Sequence, residues 1–380
     1  MKVALVTESF LPQVNGVTNS VLRVCEQLRR HRHEPLVIAP GGQSPEWDGC
    51  PVIRVPSRPL PGYPSHRIAQ RWPLLEPVLR DFQPDVVHLA SPTVLGPRAA
   101  VIARRMGVPT VAVYQTDLAG YARRYGLAPL SPAVWWWLRR MHNLVDLTLA
   151  PSSQAMAELR RQRVDRVACW PRGVDLDRFN PAHRDESLRA RLAPDGAVLV
   201  GYVGRLAREK ELELLRDLDR HAGVRLVIAG DGPRRGRLQA LLPRARFLGM
   251  LGGADLSAVF ASLDLFVHTG SHETFCQAAQ EALASGVPVV APAAGGLLDL
   301  VTPGQTGRLF RPGSIDALTE AVLDLAADHV TRALMRRRAR LSVLGRSWNA
   351  IGDQLMGHYQ EVRSKTGGPT RDRAFDPSLR

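Results

Sequence analysis

Short apolar runs alternate with amphipathic stretches along most of this chain. Residues 2–7 (KVALVT) are almost continuously apolar, and residues 9–16 form a loop rich in Pro, Asn and Gly. Beyond it, Val21, Leu22, Val24, Cys25 and Leu28 recur at helical spacing. Further runs at 36–39, 86–89, 110–114, 147–150 and 167–170 are each separated by a helical pattern. Uninterrupted apolar strands between helices predict a parallel sheet covered on both faces. The pattern stops at residues 171–181 (PRGVDLDRFNP), which have turn formers and no apolar period, and restarts at 198–203 (VLVGYV). Later strands are predicted at 224–229, 265–268, 287–291 and 307–310. The fold class is therefore α/β, with two doubly wound Rossmann-like domains over 1–172 and 173–346, a last helix over 347–365 and a loose tail over 366–380. Ligands of such folds bind beyond the carboxyl ends of the strands, so the chemistry is expected in loops that follow strands.

Composition changes this picture little. Apolar residues make up 45% and charged residues 23% of 380, a soluble globular balance. The longest uncharged stretch, residues 282–298, is interrupted by Pro288, Pro292, Gly286, Gly295 and Gly296 and is not read as a membrane span. The N-terminus has none of the features of a signal peptide. Four cysteines without close pairs suggest a reducing compartment rather than a disulfide or zinc framework. The net charge of +14 is uneven: residues 1–170 carry 21 basic and 12 acidic side chains. Such a surface favours anionic lipid, nucleic acid or anionic small molecules. Only Lys2, Lys210 and Lys365 stand against 47 arginines, so a compositional drift towards arginine explains part of the excess.

Several post-strand loops carry candidate chemistry. Glu273 and Glu281 form E-x(7)-E; on one helix they would stand ~12 Å apart, suited to opposite ends of one elongated ligand. That separation is too long for a hydrolase acid/base pair, and the spacing alone equally suits a solvated helix. Gly204 follows the strand at 198–203 and brings Arg205 and Lys210 to its end, where a guanidinium and an ammonium suit a pyrophosphate leaving group without a metal. Gly230-Asp231-Gly232-Pro233 and Gly295-Gly296 read as tight turns. Asn15-Gly16-Val17 offers backbone amides after the first strand but is not GxGxxG, so a dinucleotide fingerprint is absent. Tyr114, Gln115 and Asp117 follow another strand, and Asp117 equally suits a helix cap. The DxD pairs Asp175/Asp177 and Asp217/Asp219 read as structural, leaving no metal ligand set. Trp135, Trp136 and Trp137 with Arg123, Arg124, Arg139 and Arg140 suit an interfacial membrane anchor, or a helix with two rings packed inside.

Taken together these residues resemble the retaining glycosyltransferases of family 4, of the GT-B fold. The resemblance covers nearly the whole chain. It rests on Glu8-Ser9-Phe10 with Pro12 and Asn15-Gly16-Val17, on Val203-Gly204-Arg205-Leu206 with Lys210, on Gly230-Asp231-Gly232-Pro233, and on Glu273 to Glu281 followed by Ala284-Ser285-Gly286-Val287-Pro288-Val289. Within the family, Val14 to Val21, Tyr114 to Asp117 and His272 to Gln277 look like the actinobacterial GDP-mannose-dependent α-mannosyltransferases that act on glycolipids. The resemblance implies a nucleotide sugar, GDP-mannose, as substrate, with no cofactor and no metal required. It implies catalytic roles for Glu273, Arg205, Lys210 and Asp117. Gly16, Gly204, Arg205 and Lys210 would hold the diphosphate, Glu281 the ribose, and Gly249 and Met250 would flank the base. Glu273, Phe275, Cys276 and Gln277 would take the donor sugar. Many relatives place a histidine where this chain has Gln115, so Tyr114, Gln115 and Asp117 would contact sugar hydroxyls instead. The final helix would cross back onto the first domain. A lipid acceptor implies a cytoplasmic protein, peripheral on an anionic inner membrane face, and no nucleic-acid partner. The sequence leaves open another donor such as UDP-glucose on a soluble acceptor, a sugar-nucleotide epimerase, a non-enzymatic lipid- or nucleic-acid-binding protein, and the oligomeric state.

Overall fold

The fold is known from a computed structural model. It describes residues 1–366 except 14, 42–43, 61–62, 70–73, 91–92, 116, 118–119, 121–128 and 130. The chain forms two compact units. One comprises Met1–Val113, Arg140–Leu149 and the chain from Asp353; the other comprises Tyr114–Arg139 and Ala150–Gly352.

The first unit contains the strands β1 (Lys2–Val6), β2 (Glu34–Pro40), β3 (Glu46–Trp47), β4 (Cys50–Val55), β7 (Val86–Leu89), β8 (Thr110–Val113) and β9 (Leu147–Ala150), in the order β9-β8-β7-β1-β2-β4-β3. A separate antiparallel hairpin pairs β5 (Ser57–Leu60) with β6 (Tyr63–Ala69). All neighbours in the large sheet are parallel except β3–β4, and Val3 stands between Pro35 and Val86. The order reverses between β1 and β7. The helix Gly16–Arg30 starts there because the Asn15 side chain accepts from the amides of Val17 and Thr18, and it buries Val21, Val24, Cys25 and Leu28. The last helix, Trp348–Thr366, contributes Tyr359 to this unit: its hydroxyl meets buried His88 at 2.8 Å. Arg363 pairs with Asp85 and Asp353 with His31.

The second unit holds β10 (Val167–Cys169) and a six-stranded parallel sheet: β11 (Val198–Val203), β12 (Val224–Ala229), β13 (Arg246–Gly249), β14 (Leu265–Val267), β15 (Val289–Pro292) and β16 (Gly307–Phe310), in the order β13-β12-β11-β14-β15-β16. Successive strand residues face opposite cores: Leu199 joins Phe260, Phe266 and Leu283, whereas Val200 joins Leu226, Leu318 and Val322. The order reverses between β11 and β14, so the loops after these strands open at the switch point where ligands of such sheets bind.

The two compact units group 114–139 and 150–172 with the second unit and divide the last helix at Gly352/Asp353. The reason lies in polar contacts: Gln115 bonds Thr274 and Arg172, and Ser153 bonds Asp299. Strands β3 to β6 were not predicted, because their sequences alternate with polar residues or contain proline, and β13 was not because its apolar run, Phe247–Leu248, is only two residues long. No helix among the described residues is long and apolar enough to cross a membrane.

Candidate functional site

Three loops at the carboxyl end of the second sheet lock one another in place. Gly204 N donates to Ala229 O, Leu206 N to Asp231 O, and Gly230 N to Gly249 O at 2.7 Å. A Cβ on Gly230 would lie 2.0 Å from Gly204 O at a φ of +131, which only glycine accepts readily. The 204–210 loop then carries Arg205 and Lys210. Arg205 pairs with Glu209, whose side chain is buried, while its own is 44% exposed. Gly249 spends its carbonyl on Gly230, and Met250 is the most exposed large apolar side chain described.

Lys210 faces Glu273. Thr269 Oγ1 donates to the Lys210 carbonyl and Ser271 Oγ to Glu211, so the loop after β14 is laced to the loop after β11. Lys210 Nζ and His268 Nε2, the latter at 3.1 Å, converge on the same oxygen of Glu273, Oε1. Burial opposes ionisation of Glu273, but Lys210 and His268 hold its carboxyl far below the usual carboxylate range. Burial alone would lower His268; contact with Cys276 and Glu273 pushes it up to about 9. Sequence reasoning missed His268, which reads as one more residue at a strand end. Glu273 is also not on a helix: the helix is Gln277–Ala284, and Cys276 before it holds a left-handed φ of +85. The two-ended helix geometry inferred from E-x(7)-E is therefore corrected: Glu273 stands in the loop and Glu281 in the helix. Gly295 and Gly296 support this loop, with Gly296 N donating to Glu273 O at 2.8 Å.

A second polar group gathers where the helix begins. Arg172 is partly buried and donates to Gln115 Oε1; desolvation lowers its guanidinium to about 10. Thr274 Oγ1 donates to Gln115 O, Gln277 to Gly173 O and Gln280 to Arg172 O. Arg172 was hidden in a run read as linker. Glu281 is pushed up to about 7 by burial, against the pull of Arg178 and a hydrogen bond from Gln277. Phe275 and Cys276 are buried.

The chain from 14 to 178 matches the family described as Glycosyltransferase Family 4, and residues 183–342 match Glycosyl transferases group 1. It is 51% identical over 379 residues to a GDP-mannose-dependent alpha-mannosyltransferase of Mycobacterium tuberculosis, covering 96% of this chain and 98% of that one. It is 52% identical over 369 residues to the Mycolicibacterium smegmatis protein of the same name, covering 95% and 98%. The chain belongs to glycosyltransferase family 4. Its fold is GT-B: sucrose-phosphate synthase from Thermosynechococcus elongatus superposes with a TM-score of 0.78 over 96% of this chain and 99% of that one, at 21% identity.

In this glycosyltransferase several predicted site residues have structural employment. Tyr114 is buried and stacks on Trp135, with ring centroids 6.3 Å apart, so its ring belongs to the core rather than to a sugar site. Asp117 accepts from the Gly120 amide at 2.7 Å, as a turn or helix cap does. Gly16 opens the first helix in the other unit. Trp135 and Trp137 pack into one cluster with Leu138 and Leu159, and of the three tryptophans Trp136 alone is exposed. Trp136 and Arg139 line an open cleft with Ser131, Pro132 and Gln162; Arg140 is half-buried, and Arg123 and Arg124 lie outside the described residues. Asp175 accepts from Arg178 N, and Asp219 from Arg244 N, both structural as expected. Among the described residues no group of three or more acidic, His or Cys side chains has metal-binding geometry.

Proposed function

We propose that this glycosyltransferase moves mannose from GDP-mannose to a hydroxyl of a membrane glycolipid, with retention at the anomeric carbon. The observation that carries the reading is identity of about half, over nearly the full chain, to GDP-mannose-dependent α-mannosyltransferases. The site chemistry supports it. Lys210 and Arg205 neutralise charge on the departing diphosphate; Arg205 is exposed enough to exchange Glu209 for phosphate. Lys210 and His268 occupy Oε1 of Glu273, so Oε2 is the oxygen that accepts donor-sugar hydroxyls, beside the amides of Phe275, Cys276 and Gln277. Glu281 accepts from the ribose. Gln115, its Oε1 held by Arg172, offers its amide N–H to a sugar hydroxyl.

In the reaction the bond from the anomeric carbon to phosphate breaks, and a bond to the acceptor oxygen forms on the same face. The leaving phosphate takes the acceptor proton, and no side chain need act as nucleophile. Two cationic side chains serve where a divalent metal would otherwise do so, and no cofactor is involved. The protein acts at the inner face of an anionic membrane, with Trp136 and Arg139 as surface contacts. The test is incubation with labelled GDP-mannose, UDP-glucose or UDP-N-acetylglucosamine plus a lipid extract, with and without excess chelator. An α-linked mannolipid from GDP-mannose, undiminished by chelator, is expected. Transfer from another donor, or only to water-soluble acceptors, contradicts the reading; loss on chelation contradicts its metal-free part.

A further inference from the structure

Nine large apolar side chains are exposed among the described residues, and four of them stand within fifteen residues: Val330, Leu334, Leu341 and Leu344. They lie on the helix His329–Val343 and the turn Leu344–Arg346 that continues it. At 100° per residue Val330, Leu334 and Leu341 fall within about 40° of one another, opposite the buried Met335, Ala339 and Val343. They are 57%, 52% and 65% exposed, so this outer face is uncovered.

The arginines of the same segment divide by face. Arg332, Arg336, Arg340 and Arg346 turn inward and donate to backbone carbonyls of Leu325, Leu263, Ala284 and Asp299 respectively. Arg337 and Arg338 are exposed beside the leucines, and neither has a hydrogen bond or ion pair among the described residues. No acidic residue occurs from His329 to Arg346, and the Asp328 carboxylate before them is engaged by Thr331. The four inward arginines account for themselves structurally. The two outward ones, interleaved with aliphatic side chains, do not.

We propose that this face docks on an anionic lipid bilayer. Leu334, Leu341 and their neighbours would enter the boundary between headgroups and acyl chains, and Arg337 and Arg338 would reach lipid phosphates. Charge complementarity selects this occupant: two unpaired guanidinium groups on a face with no acid, in a chain of net charge +14, meet a surface of phosphates. The inference deepens the membrane reading under Proposed function by adding a face separate from the Trp136–Arg139 cleft, and its observations are those of this face alone. Each basic residue near an anionic surface is worth about fivefold in partition, so losing both arginines should weaken binding tenfold or more.

The experiment is co-sedimentation of the full chain with vesicles of phosphatidylcholine plus phosphatidylglycerol, and of phosphatidylcholine alone, at low and high salt. The variants are Arg337→Ser with Arg338→Ser, and Leu334→Ser with Leu341→Ser. All four positions are exposed, and unchanged thermal melting verifies the fold. The arginine variant is expected to lose at least tenfold in binding to anionic vesicles together with most of the salt dependence. The leucine variant is expected to bind less at every salt concentration. The proposal is overturned if both variants sediment like the parent, if the parent binds neither vesicle, or if light scattering shows that the substitutions break a dimer, which makes the face a contact between two copies. Sugar transfer to an acceptor in detergent micelles is measured beside it. Absence of transfer from every donor defeats the transferase reading and leaves the vesicle result standing.

Discussion

Lys210 and His268 reach one oxygen of Glu273, and this shared acceptor is what separates the two glutamates of the E-x(7)-E pattern. Glu273 is ionised because two cationic partners face it. Glu281, eight residues on, is partly buried with weaker compensation and is pushed up to about 7. Folding therefore favours the neutral form of Glu281. Its contribution to stability is fully present below the ordinary glutamate value and is lost as pH rises through about 7. Glu281→Gln removes that loss. The variant is expected to melt with the parent at pH 5 and to be more stable at pH 8.5, by about 2 kcal/mol, or several degrees. On the proposed ribose role its affinity for GDP falls over the same range, because a neutral amide replaces a carboxylate acceptor. Melting curves of both proteins at the two pH values, with and without GDP, measure this. Parallel melting of parent and variant across the range contradicts the burial argument.

At the scale of elements, the site depends on one backbone meeting another. Gly295 has a φ of +57, and a Cβ there would lie 2.3 Å from Glu273 O. Gly295→Ala therefore adds a clash to a left-handed strain and pushes on the residue that Lys210 and His268 hold. A loss of about 2–3 kcal/mol and a fall in turnover of tenfold or more are expected. Gly313→Ala is the control: its φ is +75 but nothing lies within 4 Å of the added carbon, so only the strain of about 1 kcal/mol remains and turnover is kept. Equal effects in the two variants would show that the close approach is unimportant. The same loop shows what the sequence makes legible. The apolar runs that became β1, β11 and β14 are uninterrupted and that of β12 is broken only by Arg225, so parallel sheets and the loops after them could be read directly. The glycine pair could be read as a turn, but not as the support under Glu273, because that contact joins positions 22 residues apart. The start of the helix at Gln277 was equally hidden: Cys276 in a left-handed conformation carries no compositional sign. Arg172 and His268 were invisible for the related reason that their partners, Gln115 and Glu273, are set by the folded chain.

On the scale of the whole molecule, buried histidines set the two units apart. In the first unit His88 and His142 are buried and lowered to about 3 by desolvation; His88 meets the Tyr359 hydroxyl and His142 the Thr148 hydroxyl at 3.0 Å. In the second unit His268 is pushed up to about 9. The signs are opposite. A lowered histidine contributes stability that is present above the unfolded value near 6.5 and lost as pH falls towards 3, because the unfolded chain takes up the proton that the folded one refuses. A raised histidine contributes stability that is fully present below 6.5 and lost as pH rises through about 9. Acidification from pH 7.5 to 5.5 therefore removes roughly 1.4 kcal/mol from the first unit for each of its two histidines. Over the same window the second unit keeps the contribution of His268 and gains from protonation of Glu281. Each unit has its own hydrophobic core, Leu75, Leu79 and Leu95 in one and Phe260, Phe266 and Leu283 in the other, which allows them to respond separately. Hydrogen exchange followed by peptide at the two pH values, corrected for intrinsic rates, reads each unit. Peptides spanning β7 and β9 are expected to lose protection on acidification by about 3 kcal/mol of opening free energy, while those spanning β14 and β15 hold or gain it. His88→Gln with His142→Gln should abolish most of the difference. Equal losses in both units, or a loss confined to the second, would contradict the assignment of the buried neutral histidines.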